Sequence, residues 1–254
     1  MEMNKMKKIF ATLLSLLVCG VMFAQGSSLE QADAAYAKGD FQSAITLYQE
    51  VAAMDGVSSD LYYNIGNAFY KAKEYPQAIL NYERALLLDP RNSDAAFNLQ
   101  IAKLQTVDKI EPVGKFFLAE WYDALQNQFS SNTWAVLGVI AFLLFMAGVA
   151  LYVFSSKTIL RKLGFFGGII LIVICIFSNI FAAGQKDRLE KREYAIVFAP
   201  TITVKSSPAD SGTDLFVIHE GTKVKVKSTL SGWSEIELED GNIGWLPSSQ
   251  IEII

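Results

Sequence analysis

The sequence has little of the side-chain chemistry on which most enzymes depend. Its 254 residues include only two cysteines and one histidine, His219. Cys19 and Cys175 lie in separate apolar runs, so neither a disulfide framework nor a zinc cluster is available. A single histidine also leaves little material for a Ser/His/Asp or Cys/His catalytic device. We therefore expect no catalytic residues, no metal site and no cofactor.

An excess of positive charge is missing as well. The formal net charge is −4 and the isoelectric point is near 5.2, which is not the basic footprint of a nucleic-acid-binding protein. Apolar residues, in contrast, make up 52% of the chain, and the mean hydropathy of +0.27 is high for a soluble domain. The composition therefore predicts membrane segments.

The N-terminus has the pattern of a secretory signal peptide. A basic start at residues 5–8 precedes the apolar run "IFATLLSLLVCGVMFA", which ends at Ala24. We predict a signal peptide over residues 1–24, which either is cleaved or remains as an anchor; in both cases the following residues are exported. A lipoprotein attached at Cys19 is the less favoured alternative, because Val18 is bulky for that processing motif.

Two further uncharged runs, 134–154 and 164–184, are long enough to cross a hydrocarbon core roughly 30 Å thick. The loop between them, 155–163, contains three basic residues and no acid. The positive-inside rule therefore places this loop in the cytoplasm. The basic residues that follow the second run, within 185–193, outnumber those of the loop and would favour the opposite orientation. The first span usually sets the orientation, however. We expect an inner-membrane protein whose two soluble parts face the periplasm.

An internal repeat occupies the first exported part. Residues 33–51 align with 67–85 at a constant offset of 34, and the second copy has the sequence "NAFYKAKEYPQAILNYERA". The small and aromatic residues at these spacings resemble the tetratricopeptide repeat, with a degenerate first unit and a third unit, 93–104, that supplies only its first helix. The resemblance implies stacked helix pairs over residues 25–108.

The resemblance to this repeat also implies a concave groove that holds an extended peptide. Asn64, Asn67 and Asn98 occupy positions similar to the asparagines of the family's carboxylate clamp, and Tyr63 and Asp94 stand where that clamp has lysines. We therefore expect partner binding by Tyr63 and the three asparagines, without recognition of an acidic C-terminus. The alternative is that the asparagines are solvated or bond only to their neighbours.

The segment 109–133 carries aromatic and aliphatic residues at three- and four-residue spacing. This pattern predicts an amphipathic juxtamembrane helix on the membrane surface or, equally, a closing helix packed on the repeat stack. Within the second span, Asn179 is expected to bond to a neighbouring helix rather than to carry transport. Residues 185–193 form a linker.

Residues 194–254 change to a period-two pattern typical of short strands, with Asp240-Gly241 as a hairpin signal. The stretches "VKSSPA", "HEGTKV", "GWSEIEL" and "GNIGWL" resemble the bacterial SH3-like domain. The resemblance implies a small all-β barrel of about five strands. Trp233 and Trp245 are either a ligand platform or plugs of the barrel and its rim. Some bacterial relatives bind cell-wall peptides, which makes peptidoglycan a candidate ligand.

The complete order of parts resembles the BatE-like proteins of the Bacteroides aerotolerance (Bat) group. The expected fold class is a multidomain membrane protein with a helical repeat stack, a two-helix transmembrane hairpin and an all-β barrel. The resemblance implies neighbours with von Willebrand factor A-domains, a MoxR-type ATPase and a role in oxygen or stress tolerance. Three hypotheses follow: a non-enzymatic scaffold, favoured here; a cell-wall sensor or tether; and an enzyme, which the residues support least.

Overall fold

The computed structural model of the chain describes residues 28–111, 113–114 and 116–254, so the predicted signal peptide and Cys19 lie outside the described residues. The described chain begins with five helices. They are α1 (28–37), α2 (Phe41–Asp55), α3 (Ser59–Lys71), α4 (Tyr75–Leu88) and α5 (Ser93–Lys103).

Polar residues just before three of these helices fix where each begins. The side chains of Asp40, Ser58 and Asn92 accept hydrogen bonds from backbone amides in the first turns of α2, α3 and α5. Each bond satisfies an amide that has no partner inside its helix. Helix α4 has instead a proline, Pro76, in its first turn, which has no backbone N–H to satisfy.

The packing of the helices repeats with the sequence. In the first unit the Tyr48 hydroxyl donates to Asp33 Oδ1 at 2.6 Å, and in the second unit the Tyr82 hydroxyl donates to Asn67 Oδ1 at 2.8 Å. Both residues of each bond are offset by the same 34 positions. A Cβ atom added to Gly66 would lie 2.7 Å from the Tyr82 ring, so glycine permits this close crossing of α3 and α4. The predicted helix pairs are confirmed.

Two long apolar helices follow, α7 (Ser131–Phe154) and α8 (Thr158–Lys191), and both are long and apolar enough to cross a membrane. They pack as a hairpin with close glycine contacts: a Cβ atom on Gly148 would lie 3.2 Å from the Gly164 oxygen. Both helices run past the predicted runs, because hydropathy marks only the apolar part of a helix that continues into its polar flanks. The non-helical turn between them is therefore 155–157, and most of the predicted linker is helical.

Asn179 bonds within its own helix, contrary to the expectation of a bond to a neighbouring helix. Its Nδ2 donates to the Cys175 oxygen at 2.8 Å. The same amide nitrogen would lie 2.9 Å from a Cβ atom on Gly138 of α7, so the glycine leaves room for it.

Helix α6 (Phe117–Gln126) packs beside the end of α8. Arg188 Nη2 lies 2.8 Å from Asp123 Oδ1, Gln185 Nε2 donates to the Gln126 oxygen at 2.6 Å, and the rings of Tyr122 and Phe181 are 5.4 Å apart. The opposite face stays exposed and apolar; it includes Phe117, Leu118, Trp121 and Leu125. These contacts put α6 beside α8 rather than over the repeat stack.

The C-terminal part is one antiparallel sheet of seven strands. They are β1 (Tyr194–Val197), β2 (Thr201–Lys205), β3 (Asp214–His219), β4 (Lys223–Leu230), β5 (Trp233–Glu237), β6 (Ile243–Pro247) and β7 (Ile251–Ile253). Their order is β3-β2-β6-β5-β4-β1-β7, in which β3 and β7 form the two ends. The sheet is therefore not the closed barrel that the sequence led us to expect, and it has two strands more. The predicted hairpin at Gly241, with φ of +88°, joins β5 to β6.

Candidate protein-interaction site

Three of the predicted groove residues lie together where α3 meets α5. Asn98 Nδ2 of α5 donates to Asn67 Oδ1 of α3 at 2.8 Å and lies 3.5 Å from the Tyr63 hydroxyl. Because Asn67 Oδ1 also accepts the Tyr82 hydroxyl, one polar network joins α3, α4 and α5. Asn64, the fourth predicted residue, is half-buried on α3 and does not belong to this network.

In this network each asparagine uses only one of its two polar side-chain atoms. An amide side chain offers two donor hydrogens on nitrogen and an acceptor oxygen. Asn67 contributes its oxygen and Asn98 its nitrogen, and among the described residues Asn67 Nδ2 and Asn98 Oδ1 make no hydrogen bond. These two atoms supply one donor and one acceptor, which is the pairing that the backbone of an extended peptide requires.

The Tyr82 hydroxyl is a permanent donor in this network. The side chain is 1% exposed, and burial, followed by the neighbouring Tyr63, raises the pKa of Tyr82 well above its ordinary value. The hydroxyl therefore keeps its proton at neutral pH, and Asn67 is held in one orientation. The two free amide atoms are pre-organised as a result.

Trp233 and Trp245 lie on the outer face of the sheet. They alternate along β5 and β6 with the buried residues Ser234 and Leu246. Trp233 pairs with Pro247, two residues beyond Trp245, so the two indoles are diagonal neighbours on one face. Both are half-buried. Neither fills the core, and Glu235, which pairs directly with Trp245, shares their face.

Sequence analysis missed an ionic contact between the repeat stack and the sheet. The Glu83 carboxylate of α4 lies 2.6 Å from Lys223 Nζ of β4 and 3.3 Å from Lys103 Nζ of α5. Glu83 is only 8% exposed. Burial alone would raise its pKa, but the ammonium groups of Lys223 and Lys103 lower the pKa of Glu83 below its usual value by a larger effect. The carboxylate is thus ionised and doubly paired.

A second contact between these parts is centred on Asp108, in the segment after α5. Its Oδ2 accepts the His219 backbone N–H and the Thr222 hydroxyl, each at 2.6 Å, and its Oδ1 lies 2.8 Å from His219 Nδ1. Burial by itself raises the pKa of Asp108. The hydrogen bonds from Thr222 and His219 together lower this pKa by more than burial raises it, so the net change is downward. His219, the single histidine of the sequence, is therefore part of an interdomain contact.

Apolar packing completes the interface. Ile196 and Ile254 of the sheet are buried in the same cluster as Ile79 of α4, and Arg84 Nη2 donates to the Ile253 oxygen at 2.7 Å. The sheet thus covers α4, the second helix of its pair. The network of Tyr63, Asn67 and Asn98 involves the first helices α3 and α5, so its free amide atoms stay outside this interface.

Comparison with known proteins agrees with the helical part of this description. Residues 59–92, which contain α3 and α4, match the tetratricopeptide repeat family. None of the curated proteins compared with the chain matches it. The chain therefore contains a tetratricopeptide repeat, a non-catalytic fold that typically mediates protein–protein interaction, joined to two helices that could span a membrane and to an antiparallel sheet.

Proposed function

We propose that the protein is a non-enzymatic membrane scaffold that holds an extended segment of a partner protein at α3 and α5. One observation carries this proposal: a donor on Asn67 and an acceptor on Asn98 make no hydrogen bond among the described residues. Tyr82 holds Asn67, Asn67 holds Asn98, and both lie outside the interface with the sheet. Such a pair fits a peptide backbone of any sequence, and nearby side chains such as Tyr63 would add selectivity.

The proposed location is the bacterial inner membrane, with the repeat stack and the sheet in the periplasm. The hairpin of α7 and α8 supports this placement, because two antiparallel spans return the chain to the side from which it came. The basic residues Lys157, Arg161 and Lys162 at the turn favour the cytoplasm for that end. The exposed apolar face of α6, at the other end of the hairpin, suits the headgroup region of the bilayer.

The proposed partners are membrane or periplasmic proteins. The resemblance of the domain order to the BatE-like proteins supports a Bat-type complex, with von Willebrand factor A-domain proteins as partners and a role in aerotolerance or stress. The sheet supplies a second contact surface, for which the bacterial SH3-like resemblance remains our proposal. Two contacts on one chain raise the effective concentration of the second.

The test is purification of the full chain from its native membrane in mild detergent, with identification of the proteins that accompany it. Asn98→Ala should reduce the recovered partner several-fold, because it removes the free acceptor, while Tyr82 still holds Asn67 in place. Gln100→Ala is the matched control, since Gln100 is exposed on the same helix. Thermal unfolding of both variants checks that the stack is intact. Equal recovery from a folded Asn98→Ala variant would refute the groove.

A cell-wall tether is the second candidate function, and the shared outer face of Trp233 and Trp245 favours it. Half-exposed indoles suit stacking on sugar rings or apolar peptide groups of peptidoglycan. The full chain in nanodiscs should sediment with purified cell walls, and Trp233→Ala should abolish this. Val217→Ala, at an exposed apolar site on β3, is the control. If both variants sediment with cell walls as the wild type does, this candidate function is refuted.

A further inference from the structure

The turn between β3 and β4 directs three polar groups at one carboxylate. The His219 backbone N–H and the Thr222 hydroxyl each lie 2.6 Å from Asp108 Oδ2, and His219 Nδ1 lies 2.8 Å from Asp108 Oδ1. An ionised carboxylate only accepts hydrogen bonds, so Nδ1 carries the ring proton and donates it. Three hydrogen bonds to a charged acceptor are stronger than three to a neutral one, and the turn therefore favours an acidic side chain.

This acid belongs to a short segment, residues 106–111, which we call the strap. The strap is neither helix nor strand and leads from the end of α5 to the sheet. Two residues after Asp108, Ile110 packs against the buried core of the sheet. A Cβ atom on Gly221 would lie 2.5 Å from Thr106 Cγ2, so a glycine in the turn permits this close approach. The strap thus contacts the sheet as a bound peptide would, through one acid and one aliphatic residue.

The other end of the strap is fixed to the repeat stack. The Thr106 hydroxyl donates to the Lys103 oxygen at 2.9 Å, and Lys109 Nζ donates to the same oxygen at 2.7 Å. Both bonds satisfy a backbone carbonyl at the C-terminal end of α5. If the stack and the sheet separate, the strap therefore leaves the sheet together with the stack.

The same separation breaks the ionic contact at Glu83. Lys223, which pairs with Glu83, follows Thr222 directly in the chain, so the two contacts occupy adjacent positions of the sheet. Beside them lies a cleft of about 140 Å³, whose lining includes Lys103, Ile110 and Thr222. The strap therefore covers its position on the sheet without filling the space around it.

We propose that the turn 219–222 and the adjoining edge of the core form a peptide-binding site, which the strap occupies as an intramolecular ligand. A partner segment with aspartate, followed two residues later by a branched aliphatic residue, displaces the strap. A ligand on the same chain competes at a high effective concentration, so the partner binds only the fraction of molecules in which the strap has left. This inference goes beyond the proposed groove, because it concerns the sheet and a ligand defined by its acid.

A fluorescent peptide with the sequence of residues 104–113 tests the site on the full chain in nanodiscs. Binding is followed by fluorescence anisotropy. The wild-type chain should bind the peptide weakly, since its own strap competes. Asp108→Ala in the chain should raise the affinity at least about tenfold, because that strap loses charge-assisted hydrogen bonds to the turn and leaves the site to the peptide.

Glu111→Ala is the matched control in the chain. Glu111 is an exposed acid of the same strap, and it makes no hydrogen bond or ion pair with any residue that the structure describes. Its removal should leave the peptide affinity unchanged. A second peptide, which carries Asp108→Ala, should bind to neither chain. Thermal unfolding of both chain variants checks that they are folded.

The wild-type chain provides a second measurement that needs no variant. His219 is the only histidine of the sequence, so a chain labelled with ¹⁵N-histidine reports on this site alone in NMR spectra. A nitroxide-labelled peptide in large excess should broaden the His219 ring signals. The Asp108→Ala peptide with the same label should leave them unchanged.

Three results would overturn the proposal: no binding of the peptide to a folded Asp108→Ala chain, equal affinity of this chain and the wild type, or His219 signals that the nitroxide peptide does not broaden. If the Asp108→Ala chain fails to fold, the NMR measurement on the wild type decides alone. None of these results depends on Asn98→Ala, so the groove and the site on the sheet are tested separately.

Discussion

Replacement of Glu83 by glutamine should loosen the contact between the repeat stack and the sheet. Removal of one partner from a fully buried ion pair costs about 3–5 kcal/mol. Here Lys103 and Lys223 keep 39% and 23% of their side chains exposed, so water can solvate them after the change. Glutamine also still accepts a hydrogen bond. We therefore expect a loss of about 2 kcal/mol in the free energy of the opening that separates the two parts.

Hydrogen exchange of the intact protein in detergent measures this opening. Two backbone amides bridge the parts: His219 N–H, bound to Asp108, and Val113 N–H, bound to the Glu239 oxygen. Both should exchange about 30-fold faster in Glu83→Gln, which is the population change that corresponds to about 2 kcal/mol.

The matched control is Glu252→Gln, which removes an ion pair from the same interface. Glu252 bonds to Arg84 at 2.9 Å but is 53% exposed, and such pairs contribute about 0–1 kcal/mol. Exchange that is equal in the two variants, or unchanged from the wild type in Glu83→Gln, would refute the argument that buried charge holds the interface.

Three further predictions concern packing and pH. Gly66→Ala should destabilise the stack by about 1–3 kcal/mol, because its Cβ would overlap a tyrosine ring; an unchanged thermal unfolding midpoint would contradict this. The lowered pKa values of Glu83 and Asp108 mean that the unfolded state binds more protons, so the interface is fully stabilised above about pH 4–5 and weakens as pH falls through the folded-state values. We expect faster amide exchange across the interface at pH 3 than at pH 7, after correction for intrinsic rates. Slower exchange at about pH 3 would contradict this prediction. Gly164→Leu should destabilise the hairpin in detergent titrations, whereas Gly167→Leu, with open space around its Cβ, should not; equal effects would argue against glycine packing.

Local pattern predicted much of the architecture. The 34-residue offset, with its small and aromatic residues, indicated the helix pairs that the structure has. The long apolar runs indicated two helices that could span a membrane. Period-two alternation after residue 193 indicated strands and the turn at Gly241. Each of these signals depends on residues that are close in sequence, within one helix, one strand or one pair of repeats.

The remaining features depend on residues far apart in the chain. Glu83 and Lys223 are 140 positions apart, and Asp108 and His219 are 111 apart, so no spacing rule joins them. Alternation likewise predicts that a strand exists but not which strand lies beside it, which is why an open seven-stranded order replaced the expected barrel. The repeat resemblance implied that Asn67 and Asn98 lie on the first helices of their units, which are α3 and α5. Their mutual bond, however, required the packing of two helices.

Helix α8 sets how far from the bilayer the protein can work. It continues for seven residues, 185–191, beyond the predicted apolar run, which is about 10 Å at 1.5 Å per residue, and β1 begins at Tyr194. On the proposed placement, the sheet and the attached stack therefore sit at the height of the lipid headgroups, without a tether that would let them reach outward. A partner embedded in the same membrane meets these surfaces by lateral diffusion in two dimensions, at a local concentration that a freely diffusing periplasmic protein would rarely match.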